Sequence, residues 1–131
     1  MKLFVLPVIF FITLFSDLQA QTTFSCTYRQ YCYWDESTKN YLNCKGFEES
    51  SIFVIDKEEK IFTYEVQGMK SYYIIKEKEY EKKTDTWTYK ATSAEGNKFI
   101  YTFDPRNKEI RFVPAKVEKT VMQLFTVDSI Y

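Results

Sequence analysis

The chain has no histidine, and that absence removes several chemistries at once. Ser-His-Asp and Cys-His nucleophilic machinery needs an imidazole to carry the proton, and a His-ligated zinc site needs it as a ligand. Glycine is nearly as scarce. Gly46, Gly68 and Gly96 stand alone, so no glycine-rich phosphate loop exists. With three prolines there is no proline-rich linker or low-complexity stretch. Cys26, Cys32 and Cys44 are spaced unlike a structural zinc set. Asp35–Asn40 lacks the alternating acidic ligands and central glycine of a calcium loop. No metal or cofactor is therefore expected. An excess of one charge is missing as well. Basic and acidic residues number 18 each and interleave, so no net field draws in nucleic acid or an anionic membrane.

The chain does carry an address. Met1-Lys2 is followed by an apolar run from Leu3 to Phe15, then Ser16-Asp17 and Leu18-Gln19-Ala20. A positive start, a short apolar stretch and a small final residue form the plan of a signal peptide over residues 1–20. The run is shorter than the roughly 20 residues a membrane-spanning helix needs. The residues before Cys26 are Thr23-Phe24-Ser25, which is not a lipidation pattern. Residues 21–131 are thus expected to form one extracytoplasmic domain, secreted or periplasmic, with no integral membrane segment after cleavage.

Aromatic residues dominate what remains. The chain holds 12 Phe, 11 Tyr and 2 Trp, and such enrichment favours strands. Phe24, Cys26 and Tyr28 alternate with Thr23, Ser25 and Thr27. Ser51–Asp56 and Ile61–Val66 flank a charged loop, Lys57–Lys60. Ser71–Lys76 is apolar on both faces, as a central strand would be. Glu77–Asp85 is almost wholly charged and is expected to project into solvent, with a short helix as the competing reading. Trp87, Tyr89 and Ala91 share one face; so do Phe99, Tyr101 and Phe103 beyond the turn at Ala94–Asn97. Asp104–Lys108 is another turn, and a last strand runs near Met122–Val127. Short strands with tight connections predict an all-β, antiparallel up-and-down meander of about eight strands, barrel-like or a bent sandwich. Phe53–Phe62 and Tyr101–Phe112 echo one another weakly, and shared hairpin chemistry explains the echo more simply than duplication.

Export makes a disulfide reasonable. If Cys26 and Cys32 share an extended strand they lie about 20 Å apart, and a disulfide tolerates less than about 7 Å between Cα atoms. Cys44 should then be one partner, most simply with Cys32. The third thiol is either buried and inert or a route to a covalent dimer.

Phe62, Tyr64, Trp87, Tyr89 and Tyr101 are the candidate ligand-binding residues, lining a cavity for an apolar ligand or a platform for sugar rings. Alternation predicts a plain core equally well. Tyr72 and Tyr73 are adjacent, so one of them points outward. The carboxylate pairs Asp35-Glu36, Glu48-Glu49 and Glu58-Glu59 fall where turns are expected, so solvated charge explains them better than glycoside hydrolysis.

Phe53–Asp56, Asn97–Phe99 and the closing Thr126–Tyr131 resemble pieces of short, uncharacterised exported β-sheet proteins of the Bacteroidetes type. That resemblance implies an envelope location and no activity. The strand count is similar to lipocalin-like barrels, although the Gly-x-Trp signature of their first strand is absent, since Trp34 follows Cys32-Tyr33. The expectation is a non-catalytic extracytoplasmic β domain, protein-binding or envelope-associated. The alternatives are a lipocalin-like carrier of a small apolar ligand and, third, a carboxylate-dependent hydrolase. The sequence itself names neither partner nor ligand.

Overall fold

Eight strands follow one another as β1 (Thr22–Asp35), β2 (Asn40–Ile55), β3 (Ile61–Val66), β4 (Met69–Glu81), β5 (Thr86–Ser93), β6 (Lys98–Asp104), β7 (Glu109–Pro114) and β8 (Val121–Ile130). Each pairs antiparallel with the next, and β8 returns to β1, so the meander closes as a barrel. The computed structural model describes residues 21–115 and 121–131, and the expected leader over residues 1–20 lies outside them. Among the described residues there is no helix. None is therefore long and apolar enough to cross a membrane.

Local chemistry sets the turns. Between β3 and β4, Gln67 and Gly68 both take positive φ, 50° and 77°. This is the two-residue turn whose twist matches paired strands. Asp35 and Asp104 end their strands, Asp56 directly follows β2, and all three use their carboxylates to hold the next turn. Asp56 Oδ1 accepts from the Lys60 amide at 2.8 Å, and Asp104 Oδ1 from the Asn107 amide at 3.3 Å. Asp35 Oδ2 accepts from the Thr38 amide and the Ser37 and Thr38 hydroxyls. Those bonds, Thr38 foremost, hold its carboxyl below the usual carboxylate range. The same device at Asp56 and Asp104 accounts for the echo between those hairpins.

Inside, aromatic rings cross the barrel and meet. Phe53 of β2 lies 6.3 Å from Tyr101 and 5.9 Å from Phe103, both on β6. Phe62 of β3 lies 4.6 Å from Tyr101, and Tyr64 lies 5.5 Å from Phe125 of β8. Phe53, Phe62, Tyr101, Phe103 and Ile110 have no exposed surface. Edge-to-face and offset contacts at these spacings add to the transfer free energy of burying each ring. The rings fill the middle of the barrel and leave two ends of different character.

Three local expectations need correction. Glu77–Glu81 is neither a loop nor a helix but the second half of β4, with Lys78 opposite Tyr89 and Tyr80 opposite Trp87. Pairing to β5 and a 4.3 Å Tyr80–Trp87 ring contact override the helix propensity of the glutamates and lysines. Ser71–Lys76 is not apolar-buried on both faces: Tyr73 and Ile75 pack on the core, whereas Tyr72 and Ile74 are exposed. Tyr28 does not share the inner face of Phe24 and Cys26. A bulge at Thr27 shifts the register between Cys26 and Tyr28 against both neighbouring strands, so the inner face passes to Arg29 and Tyr31. Tyr28 instead lies over Gly46, where an added Cβ would meet its hydroxyl at 2.5 Å. Only glycine lets that ring lie so close.

Candidate functional site

Beyond the ring-filled body, β2 runs on as an arm with β1, paired through Tyr33–Leu42 and Trp34–Tyr41 to Asp35–Asn40. β1 keeps β8 on its other side as far as Tyr33–Val121, so the tip from Trp34 to Tyr41 is two-stranded. β2 gains its second neighbour, β3, only from Ser51 onward. Among the described residues Asn40–Ser50 is therefore paired on one side only, to β1. A backbone edge of this kind offers unpaired amides and carbonyls to an incoming strand. Tyr33, Leu42 and Phe47, with 48%, 38% and 41% of their surface exposed, line the arm. Trp34 packs edge-on against Tyr41 at 5.1 Å on its other side.

A disulfide joins Cys32 to Cys44 across this arm, the pairing expected from the sequence as the simplest. It closes a short loop, the sequence separation being 12. In an arm whose β2 half is paired to β1 alone, this cross-link removes much of the freedom β2 would otherwise regain. Cys26 stays free and buried in the body. Burial pushes its thiol up to about 12, partly offset by the neighbouring Ser51 hydroxyl.

Where the arm joins the body, the Thr27 bulge places Arg29 inside. Its Nη2 donates to Glu49 Oε2 at 3.2 Å and its Nη1 to the Tyr64 hydroxyl at 3.0 Å. Nε approaches Glu49 Oε1 at 3.1 Å, an ionic contact off hydrogen-bond alignment. The two side chains are only 17% and 9% exposed. The guanidinium carbon sits 5.2 Å from the rings of both Tyr31 and Phe47, and 5.8 Å from Phe125. Arg29 thus plugs this end of the barrel, its charge answered by Glu49 and by ring faces. Glu48-Glu49 belongs to a strand rather than the expected turn, and Glu49 serves as Arg29's counter-ion. Burial pushes the Tyr64 phenol up to about 12; Arg29 pulls against this and Glu49 adds to it.

The five residues singled out from the sequence divide between core and rim. Phe62, Tyr64, Tyr89 and Tyr101 are buried within the core cluster, and Trp87 packs against it partly exposed. Burial raises the Tyr101 phenol far above the ordinary range, and the neighbouring Tyr73 adds to the shift. At the end opposite the arm, Trp87 and Tyr89 border a cavity of about 180 Å³ together with Phe24, Phe103 and Glu59. A cavity of about 500 Å³ on the outer wall of β4–β6 is bordered by Lys76, Lys90 and Lys98. No group of three or more His, Cys, Asp or Glu is gathered among the described residues.

Neither a family model, nor a curated protein, nor a solved structure matches this chain.

Proposed function

We propose that this is a non-catalytic, extracytoplasmic binding module whose recognition element is the β1–β2 arm. A protein partner adds an extended segment to the open edge of β2. The observation that carries this reading is the run Asn40–Ser50, paired to β1 but to no strand on its other edge among the described residues, next to exposed Tyr33, Leu42 and Phe47 and cross-linked by Cys32–Cys44. Strand addition draws affinity from main-chain hydrogen bonds and specificity from flanking side chains. Cross-linking the arm before binding lowers the ordering cost that a floppy hairpin would bear. Asn43, with φ 55°, interrupts the edge near its outer end. Phe47–Ser50 is then the stretch best placed for pairing.

The disulfide supports passage through an oxidising compartment, in keeping with the signal-like leader. The ring-filled midsection supports recognition on the outside of the barrel over a ligand channel through it.

Site-specific photo-crosslinking in cells that export the protein provides the test. A photoreactive residue in place of Leu42 should give a discrete covalent adduct with one partner. The same residue in place of Lys57, at the opposite end of the barrel, should not. Equal adduct patterns from both positions, or none from Leu42, would defeat the proposal.

A further inference from the structure

The end of the barrel opposite the arm is built differently. Phe24, Trp87, Tyr89 and Phe103 wall a cavity of about 180 Å³, whose rim carries Glu59. Glu59 lies in the β2–β3 loop with φ 55°, a left-handed conformation that non-glycine residues adopt at a cost. Its Oε1 accepts from the Tyr89 hydroxyl at 3.5 Å, so the carboxylate leans over the rings. Its Oε2 meets Lys78 Nζ at 3.0 Å. Exposure separates the two partners: the Glu59 side chain is 25% exposed and that of Lys78 is 54% exposed. The negative group therefore faces the cavity, and its counter-ion sits in solvent at the rim.

The two other charged residues that border the cavity, Asp56 and Lys57, are of opposite sign. Asp56 Oδ1 is engaged by the Lys60 and Ile61 amides, and Lys57 also borders the cavity. Burial, and then the charge of Glu59, raise the Tyr89 phenol well above its ordinary range. Tyr89 is therefore neutral and donates to the carboxylate at every ordinary pH. Ring faces carry a negative quadrupole, so the walls and the carboxylate favour the same sign of guest. The space suits a group of about one ring.

We infer that this mouth binds a small arylalkyl ammonium ion, with its ring between Trp87 and the core aromatics and its ammonium on Glu59. The free protein satisfies Glu59 with Lys78, whose ammonium end of the pair lies mostly in solvent, where such attraction is weak. A guest that brings both an ammonium and a ring displaces Lys78 and fills the cavity. This site is independent of the β2 edge and does not rest on it.

The two tryptophans lie at opposite ends of the molecule, which gives the test an internal control. The mature protein, labelled with ¹⁵N, is titrated with 2-phenylethylammonium chloride and both indole N–H signals are followed. The Trp87 signal is expected to move saturably and the Trp34 signal to stay. The neutral analogue 2-phenylethanol and the anion phenylacetate are each expected to bind at least about tenfold more weakly, a difference of 1.4 kcal/mol. Glu59→Gln should weaken the ammonium about tenfold, and Lys78→Ala should strengthen it by freeing the carboxylate. The inference is overturned if the Trp87 signal does not move, if both indoles move together, if the three probes bind alike, or if Lys78→Ala weakens binding. Unchanged melting temperature and dispersed amide signals of the barrel body in each variant report that the fold is intact.

Discussion

Phe47 and Phe53 stand six residues apart on the same strand and face the same side, yet Phe53 has no exposed surface and Phe47 is 41% exposed. The two side chains are identical; their surroundings are not. At Phe53, β2 is paired on both sides, and rings from β6 and β8 arrive across the barrel axis. At Phe47 only β1 stands alongside, and the ring rests on Tyr31 and the Arg29 guanidinium. Alternation of aromatic and polar residues thus marks which way a side chain points. Whether that direction leads to a core or to an open surface depends on whether the sheet has closed there. The body of the barrel is stable through burial, and the arm through a covalent staple and one buried ion pair.

This contrast is broken most directly by truncating the two phenylalanines. Phe53→Ala should cost about 3–5 kcal/mol of unfolding free energy, because its cavity opens in a ring-packed centre that cannot collapse. Phe47→Ala should cost less than about 1 kcal/mol, as expected for a half-exposed side chain. Chemical denaturation of the two variants measures both, and equal losses would erase the distinction between body and arm.

Next in size is the ion pair at the boundary. Glu49→Ala leaves Arg29 among aromatic rings without its counter-ion. Complete burial would make that loss about 3–5 kcal/mol, and the residual exposure of Arg29 brings it to about 2–3 kcal/mol. The double variant Arg29→Met/Glu49→Leu should recover most of the loss, since two apolar side chains remove the stranded charge. Denaturation of both variants checks the pair.

A smaller effect sharpens the comparison through pH. Tyr64 and Cys26 both have folded-state values raised to about 12 by burial. The unfolded chain loses these protons near pH 8.5–10, so above that range it binds fewer protons than the folded one. The stability these groups contribute is complete below the unfolded values and is lost as pH climbs toward 12. Melting temperature should therefore hold near pH 8 and fall steadily between pH 9 and 12. Absorbance at the tyrosinate band should show the Tyr64 phenol ionising only as pH approaches 12.

The smallest effect lies in the loops. Lys108 closes the β6–β7 turn with φ 54°. Lys108→Gly removes left-handed strain and should raise stability by about 0.5 kcal/mol after glycine's own entropic cost. A melting temperature that does not rise would show that this turn carries no such strain.

Much of the body was legible in the sequence because its strands, within the body, are half-buried and alternate. Phe24 with Cys26, Phe62 with Tyr64, Tyr89 with Ala91 and Tyr101 with Phe103 all keep the alternation that their inner face requires. The cysteine pairing was legible for the same reason, because one extended strand separates Cys26 from Cys32. The arm was not. Its β2 half, Asn40–Ser50, contains Asn43, Gly46 and two glutamates and lacks a continuous apolar face, so it reads as loop. Only its pairing with β1 makes it a strand. Arg29 was missed because a bulge at Thr27 cannot be read from alternation, which it interrupts. Gln67-Gly68 offered a usable hairpin signal, as a residue-glycine pair between apolar runs. Glu77–Glu81 offered none, since its strand character comes from β5.

The separation of body from arm is tested most directly by hydrogen exchange, read by mass spectrometry, on the disulfide-bonded protein and on the Cys32→Ser/Cys44→Ser variant. Exchange in the variant should quicken across residues 31–45, while the segments holding Phe53, Phe62, Tyr101 and Phe103 keep their protection. If protection is lost throughout the barrel, the disulfide staples the whole fold; if residues 31–45 are unchanged, the arm holds itself. Either result contradicts an arm kept ordered for binding by its own cross-link.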